Sequence, residues 1–338
     1  MRHYQQYVEF ANFVCHFGNA PMLDYLNEIV IPAFTEGNRV RMYGRSQYLL
    51  IDTSLNKIFD ADGISTLAIT GKFVLNTEIR RDQVLIDGKI VSSTHKMPSA
   101  PSSLFVLELS SHKLMYTKEV SGAPGLSAFR TTIESFLKHQ RANYIDKLYK
   151  ENEEKRQKDK TLQKITKKSL FEAIPAPNLE IVELPGNKNL EKFIDKFKKL
   201  KEFSIKVVRP NQDVNNSGLF NSVEHAREEV DAESTTVTHR NSNGLNKEKS
   251  IDQIRPALDG NAHISLIGVA SDDKILRGSN DELSVKEPID VKTPSENNFS
   301  KMYQAFLRVI SNGILKTNDV ENSFSNQEKL KKLELEIE

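Results

Sequence analysis

Ser102 to Leu137 reads SSLFVLELSSHKLMYTKEVSGAPGLSAFRTTIESFL. Leu104–Leu109 and Lys113–Val120 are apolar-rich runs that pair around Ser110-Ser111-His112 as an antiparallel hairpin. Gly122-Ala-Pro-Gly125 breaks the strand pattern. A helix then starts near Ser127, with Phe129, Ile133, Phe136 and Leu137 at i, i+4, i+7 and i+8, a stripe that faces a core. Strands followed by a helix that covers them belong to the α+β class.

The segments before this stretch fit the same plan. Tyr7–Phe17 is rich in aromatic and β-branched residues and predicts a first strand. Leu23, Leu26, Ile29, Val30 and Phe34 mark a buried helical stripe in 21–34. Val40–Asp52 and Ile64–Ile79 predict strands, with Gly71-Lys72 as a turn or bulge. Val84–Ile86 and Ile90-Val91 flank Asp87-Gly88, a two-residue hairpin signal. The sum is an antiparallel sheet of about five to seven strands with helices packed on one face.

After the hairpin helix, Glu151–Lys168 is nearly all charged and polar. Leu179–Leu184, Asn187–Lys201 and Phe203–Arg209 then read as strand, helix and strand, the size of one βαβ unit. A helix at 219–230 and a strand at 235–238 extend it, and Ile264–Ala270 reads as a buried strand. Asn211–Ser217 and Asn241–Asp252 carry loop composition. A last helix begins at Pro294, capped by Thr293 or a neighbour, and its stripe is Phe299, Met302, Tyr303, Phe306, Val309 and Ile310. The expected organisation is therefore an N-terminal α+β globular domain at 1–149 and a charged hinge at 150–178. A smaller α/β domain follows at 179–290 with a polar insertion at 211–260. A C-terminal helix within 291–318 packs back on the N-terminal domain, and 319–338 is a polar tail.

Composition narrows the function classes. Of 338 residues, 38% are hydrophobic and 28% charged, and the net charge is +1, so global charge neither favours nor excludes a polyanionic partner. Charge is nonetheless uneven: 137–209 holds 19 Lys/Arg and 11 Asp/Glu, a basic centre in a chain that is acidic elsewhere. No signal-peptide pattern opens the chain and no apolar run reaches membrane-spanning length, so a cytoplasmic protein is expected. The single cysteine, Cys15, cannot form an intramolecular disulfide and sits in an apolar run as a structural thiol.

Catalytic signatures are missing. The histidines, at 3, 16, 95, 112, 139, 225, 239 and 263, form no metal-ligand pair. There is no GxSxG elbow, Walker A loop or GxGxxG after a strand. Glu108 with Lys113, or Asp82 with Lys89, fits a Mg²⁺ nuclease only if more carboxylates converge on the metal; otherwise these are cross-strand or surface charges. No cofactor and no metal site is expected.

Lysines carry the strongest functional signal. Lys188, Lys192, Lys196 and Lys199 recur along the predicted helix 187–201, about 6 Å apart on one face, close to the phosphate spacing of one DNA strand. Such contacts position a duplex without reading its bases. Arg80 and Arg81 beside the Asp87-Gly88 hairpin form a second candidate surface, and Lys164, Lys167 and Lys168 a third. The alternative, a solvated face whose lysines pair with Glu191, Asp195 and Glu202, stays open on the sequence.

In its order of elements the chain resembles the RexA-like phage-exclusion family. The likeness runs through SSLFVLELSSHKLMYTKEVSGAP and the helix after it, then Ser204-Ile-Lys-Val-Val-Arg-Pro-Asn211, His263-Ile-Ser-Leu-Ile and the closing helix. The chain departs from it in the charged segment 150–168 and the insertion 211–260. The resemblance implies a homodimer that binds DNA without sequence preference in anti-phage defence, with no catalytic residues to carry over. Two other readings compete: a Mg²⁺-dependent nuclease effector, and a non-catalytic subunit that binds a partner protein from a defence operon.

Overall fold

The computed structural model describes residues 5–36, 39–60, 62–209, 218–230, 232, 234–291, 298–315, 320 and 322–337. The fold is α+β. Its strands are β1 (Gln6–Phe17), β2 (Ala20–Pro21), β3 (Val40–Tyr43), β4 (Ser46–Phe59), β5 (Ser65–Ile86), β6 (Lys89–Ser99), β7 (Ser102–Glu108), β8 (Lys113–Lys118), β9 (Pro177–Glu183), β10 (Phe197–Val207), β11 (Thr235–Arg240), β12 (Ala262–Ala270), β13 (Ile275–Ser279) and β14 (Lys286–Ile289). Its helices are α1 (Ile31–Thr35), α2 (Leu126–Lys158), α3 (Lys167–Ala173), α4 (Asn187–Asp195), α5 (Gly218–Glu229), α6 (Lys247–Ile254), α7 (Asn280–Leu283), α8 (Asn298–Ser311) and α9 (Phe324–Glu336).

A large antiparallel sheet runs β14-β1-β8-β7-β5-β4-β3, with β2 and β9 also on β1 and β6 also on β5. Alternation along its central strands explains why both faces are covered. Phe13, Phe17, Phe105 and Tyr116 point to one side, where they meet Phe129 and Ile133 of α2 and the helical turns of Met22–Phe34. Val8, Phe10, Leu104, Val106 and Met115 point to the other, where they meet Met302, Ala305, Phe306 and Val309 of α8. Helices therefore occupy both faces, not one. An apolar run with both parities buried hides its two-residue period, so the strands alone do not show that both of their faces are covered.

A second sheet, β11-β10-β12-β13, packs its core against α4, α6 and the short turn 255–259. Val14, Val182 and Val208 meet where the two sheets approach, and the buried Asn280 amide ties Glu183 O to Ala262 O at 3.1 Å each.

Two sequence expectations are corrected here. Strand Pro177–Glu183 pairs with β1, antiparallel from Ala11↔Glu183 to Phe17↔Pro177, so it is not the first strand of a βαβ unit with β10. Gly71 is no turn; it lies inside the unbroken β5, and the bulge is on β4, where the register shifts between Ile51 and Ser54. A Cβ on Gly71 would stand 2.6 Å from Thr53 Oγ1, so the glycine leaves room for that bulge.

Asn241–Asp252, read as loop, instead contains the start of α6 at Lys247, capped by Asn246; other segments follow the pattern or add to it. Asp87 and Gly88 both have positive φ, 48° and 75°, as a type I′ hairpin turn requires. Helix α2 continues through the charged stretch to Lys158. The segment read as a polar tail contains α9, whose Lys329 Nζ donates to Leu23 O at 2.6 Å. Pro294, its Thr293 cap and the loop 211–217 lie outside the described residues. Among the described residues, no helix is long and apolar enough to cross a membrane.

Candidate nucleic-acid interface

The four central lysines do not share one helix. Helix α4 buries Leu190, Phe193 and Ile194 and exposes Lys188 and Lys192, then stops at Asp195. Lys196 is its C-cap, with Nζ 5.0 Å from the Phe193 ring. Lys199 belongs to β10. The expected helix 187–201 is therefore corrected to a helix-to-strand passage. Two register shifts in β10, between Phe197 and Lys199 and between Leu200 and Glu202, space Phe197, Leu200 and Phe203 three apart. Bulged strand thus imitates the apolar spacing of a helix.

The passage still leaves a basic surface. All four lysines are exposed, and among the described residues none forms an ion pair. Two of the three carboxylates that could neutralise them are engaged elsewhere: Glu191 lies 3.4 Å from Arg255 and Glu202 lies 3.5 Å from Arg240. Lys198, on the same passage, is held by Asp273 at 2.6 Å. Lys247 at the start of α6 reaches back to Asp195 O at 3.5 Å, bringing a further cation next to the end of α4.

The other candidates stand on separate elements. Arg80 and Lys96 flank Glu78 at 3.7 and 3.8 Å on the β5–β6 ribbon, while Arg81 is exposed beside them, opposite His95. Lys167 pairs with Asp146 at 2.6 Å and Lys168 with Glu172 at 3.9 Å. Lys164 is exposed in the turn between α2 and α3, without an ion pair among the described residues.

The carboxylate–lysine pairs have structural employment. Glu108 and Lys113 are cross-strand neighbours in the β7–β8 hairpin, both buried. Glu108 accepts from Thr66 Oγ1 at 2.7 Å, from Ser110 N at 2.9 Å and from Ser111 N at 2.7 Å, and also from both serine hydroxyls. It organises the turn rather than offering lone pairs to a metal. Asp82 lies at a bulge of the exposed ribbon, and Lys89 opposes Ile86 instead. Among the described residues no three His, Cys, Asp or Glu side chains are grouped to hold a metal ion.

One arrangement had no signal in the sequence. A cleft of about 750 Å³ opens between the sheets, lined in part by His16, Glu180, Lys206, Arg209 and Arg227. Glu180 is its hub, 3.7 Å from His263, 3.8 Å from Arg130 and 4.0 Å from Lys206. The His263 imidazole first, then Arg130 and Lys206, hold this carboxyl below its usual range against the opposing effect of burial. Arg209 donates to Gly18 O and Asn19 Oδ1 at 3.0 Å each. These residues lie from position 16 to 263, so no spacing motif joins them.

The chain matches no protein-family model and no curated protein.

Proposed function

We propose that this chain is a sequence-nonspecific DNA-binding protein of an anti-phage defence system, acting in the cytoplasm as a homodimer, without catalysis and alone or with a partner from its operon. The observation that carries the DNA reading is the exposed set Lys188, Lys192, Lys196 and Lys199, unpaired among the described residues while Glu191 and Glu202 are bound to arginines. Ammonium groups left in solvent are free to displace counterions from a phosphate backbone. Lys188 and Lys192 lie on α4, Lys196 at its C-cap and Lys199 on β10, exposed positions suited to phosphate contacts, which orient a duplex without reading its bases. The defence role follows from the resemblance in element order.

A gel-shift series on duplexes of unrelated sequence tests the reading. Equal affinity for all of them, weakening steeply with salt, supports it. Strong preference for one sequence, or no shift at low salt, overturns it. Plasmid incubated with Mg²⁺ and with EDTA separates the nuclease alternative: the reading expects intact plasmid in both.

A further inference from the structure

At one end of the large sheet stands β3, whose only strand neighbour among the described residues is β4. Gly44-Arg45 joins the two, a two-residue turn with φ of 58° at Gly44, as a type II′ hairpin requires. In such a hairpin Tyr43 and Ser46 exchange the hydrogen bonds that close the turn, and bonded pairs alternate with unbonded ones from there. Arg41 therefore bonds to Tyr48, while the N–H and C=O of Val40 and Met42 point away from β4. Among the described residues nothing hydrogen-bonds to those outward groups. Side chains alternate in the same way. Tyr48 and Leu50 pack toward α2, and Arg41 reaches Thr132 of α2 at 3.4 Å. Val40 and Met42 accordingly lie on the other face, 44% and 60% exposed.

We propose that β3 is a docking edge for an extended segment of another protein, in which acidic residues alternate with apolar ones. The inference goes beyond the DNA reading above and stands apart from it, since it concerns a different surface and a protein partner. Charge selects the occupant. Arg39–Leu50 holds three arginines and no Asp or Glu, and none of the three forms an ion pair among the described residues. Arg39 is engaged with Pro32 O and the Gln140 side chain. The Arg41 guanidinium lies 5.8 and 5.9 Å from the Tyr43 and Tyr48 rings, and Arg45 is exposed on the turn. The edge thus presents a cation on its α2 side and apolar surface on the other, the two-residue period of an incoming strand. Main-chain bonds would then give affinity and the alternating side chains specificity. A second copy of β3 would bring arginines against arginines, and like charges across paired strands destabilise. A nucleic-acid backbone would leave Val40 and Met42 uncovered. At the opposite end of the sheet, β14 contains Lys286 and Pro288, residues that deter an added strand. On β3 the residues whose backbone faces outward are both apolar.

Fluorescence polarisation of the full chain with a labelled hexapeptide alternating glutamate and valine is the test. That peptide is expected to bind saturably. A lysine–valine counterpart and a copy N-methylated at alternate residues, which cannot donate along one edge, are expected not to bind. Met42→Pro removes an N–H that β4 does not use, on an edge strand where proline is tolerated, so it is expected to keep the wild-type circular dichroism and lose the peptide. Arg45→Glu, on the exposed turn, is expected to weaken the glutamate peptide by about fivefold. No binding by the wild type, equal binding of the glutamate and lysine peptides, or a folded Met42→Pro variant that still binds overturns the edge. Should Met42→Pro misfold, Arg45→Glu decides, and unchanged affinity there overturns it. Displacement of the peptide by duplex DNA overturns it too, since the edge would then be a nucleic-acid contact. So does an altered oligomeric state of Met42→Pro without peptide, since the edge would then join copies of this chain.

Discussion

Glu180 Oε2 and His263 Nε2 stand 3.7 Å apart and join β9 of the large sheet to β12 of the small one. The contact stabilises the seam only while Glu180 is ionised. Because its folded pKa lies below the ordinary carboxylate value, the stabilisation is complete above that ordinary value and is lost as pH falls through the folded one.

The Glu180→Gln variant should therefore be less stable than wild type near neutrality, by on the order of 1 kcal/mol or less for so partly exposed a pair. The gap should close as pH falls through the carboxylate range. Urea denaturation at a series of pH values measures it, and a gap independent of pH would contradict the assignment.

His112 gives a second pH dependence. It is buried with φ of 56°, and neither ring nitrogen has a hydrogen-bond partner among the described residues. Burial pushes its pKa down to about 4. The folded state thus resists protonation, so stability is full above the unfolded value of about 6.5 and falls between there and about 4, by roughly 1.4 kcal/mol per unit at most. His112→Asn, which tolerates the left-handed backbone, should flatten the stability profile over that window. An unchanged profile would show that other groups set it.

Gly268 is where the bulged start of β10 is accommodated. A Cβ there would stand 2.3 Å from Lys199 O and 3.0 Å from Leu200 Cα, and backbone cannot swing aside as a side chain does. Gly268→Ala should cost about 1–3 kcal/mol, the range for overpacking, and should change the environment of Lys199. Thermal unfolding reads the first effect. A neutral substitution would mean the bulge relaxes freely.

Phe129 joins three rings at once: Phe105 at 5.0 Å, Phe73 at 5.4 Å and Tyr116 at 5.5 Å. It is the residue through which α2 grips the large sheet. Phe129→Ala should cost about 3–5 kcal/mol, visible as a large drop in the denaturation midpoint, whereas a loss below about 1 kcal/mol would place the core elsewhere.

The legible parts of this fold are those with local physics. The Asp87-Gly88 turn, the β7–β8 hairpin and the stripe Phe129, Ile133, Phe136 and Leu137 each state their structure within a dozen residues. Illegibility begins where partners are distant. Leu179–Leu184 reads as a strand from its own residues, but nothing local says that it joins β1 rather than β10. The lysines of 188–199 are exposed as expected from polarity, yet three-residue spacing made by bulges disguised Lys199's strand as helix. Helix α9 gives a weak signal because the apolar side chains that pack on the core there are Leu330 and Leu333, with Ile337 just after the helix, amid charged residues. The Glu180 hub draws on residues more than a hundred positions apart, a juxtaposition that only tertiary pairing creates.

The most direct test of the central claim is the salt dependence of duplex binding, compared between wild type and the Lys188→Ala/Lys192→Ala/Lys196→Ala/Lys199→Ala variant. For wild type the logarithm of the binding constant should fall linearly with the logarithm of salt. The variant's slope should be shallower by up to about 3.6, roughly 0.9 for each phosphate contact removed, with equal loss on every sequence. Identical slopes for the two proteins would contradict a lysine-held phosphate backbone.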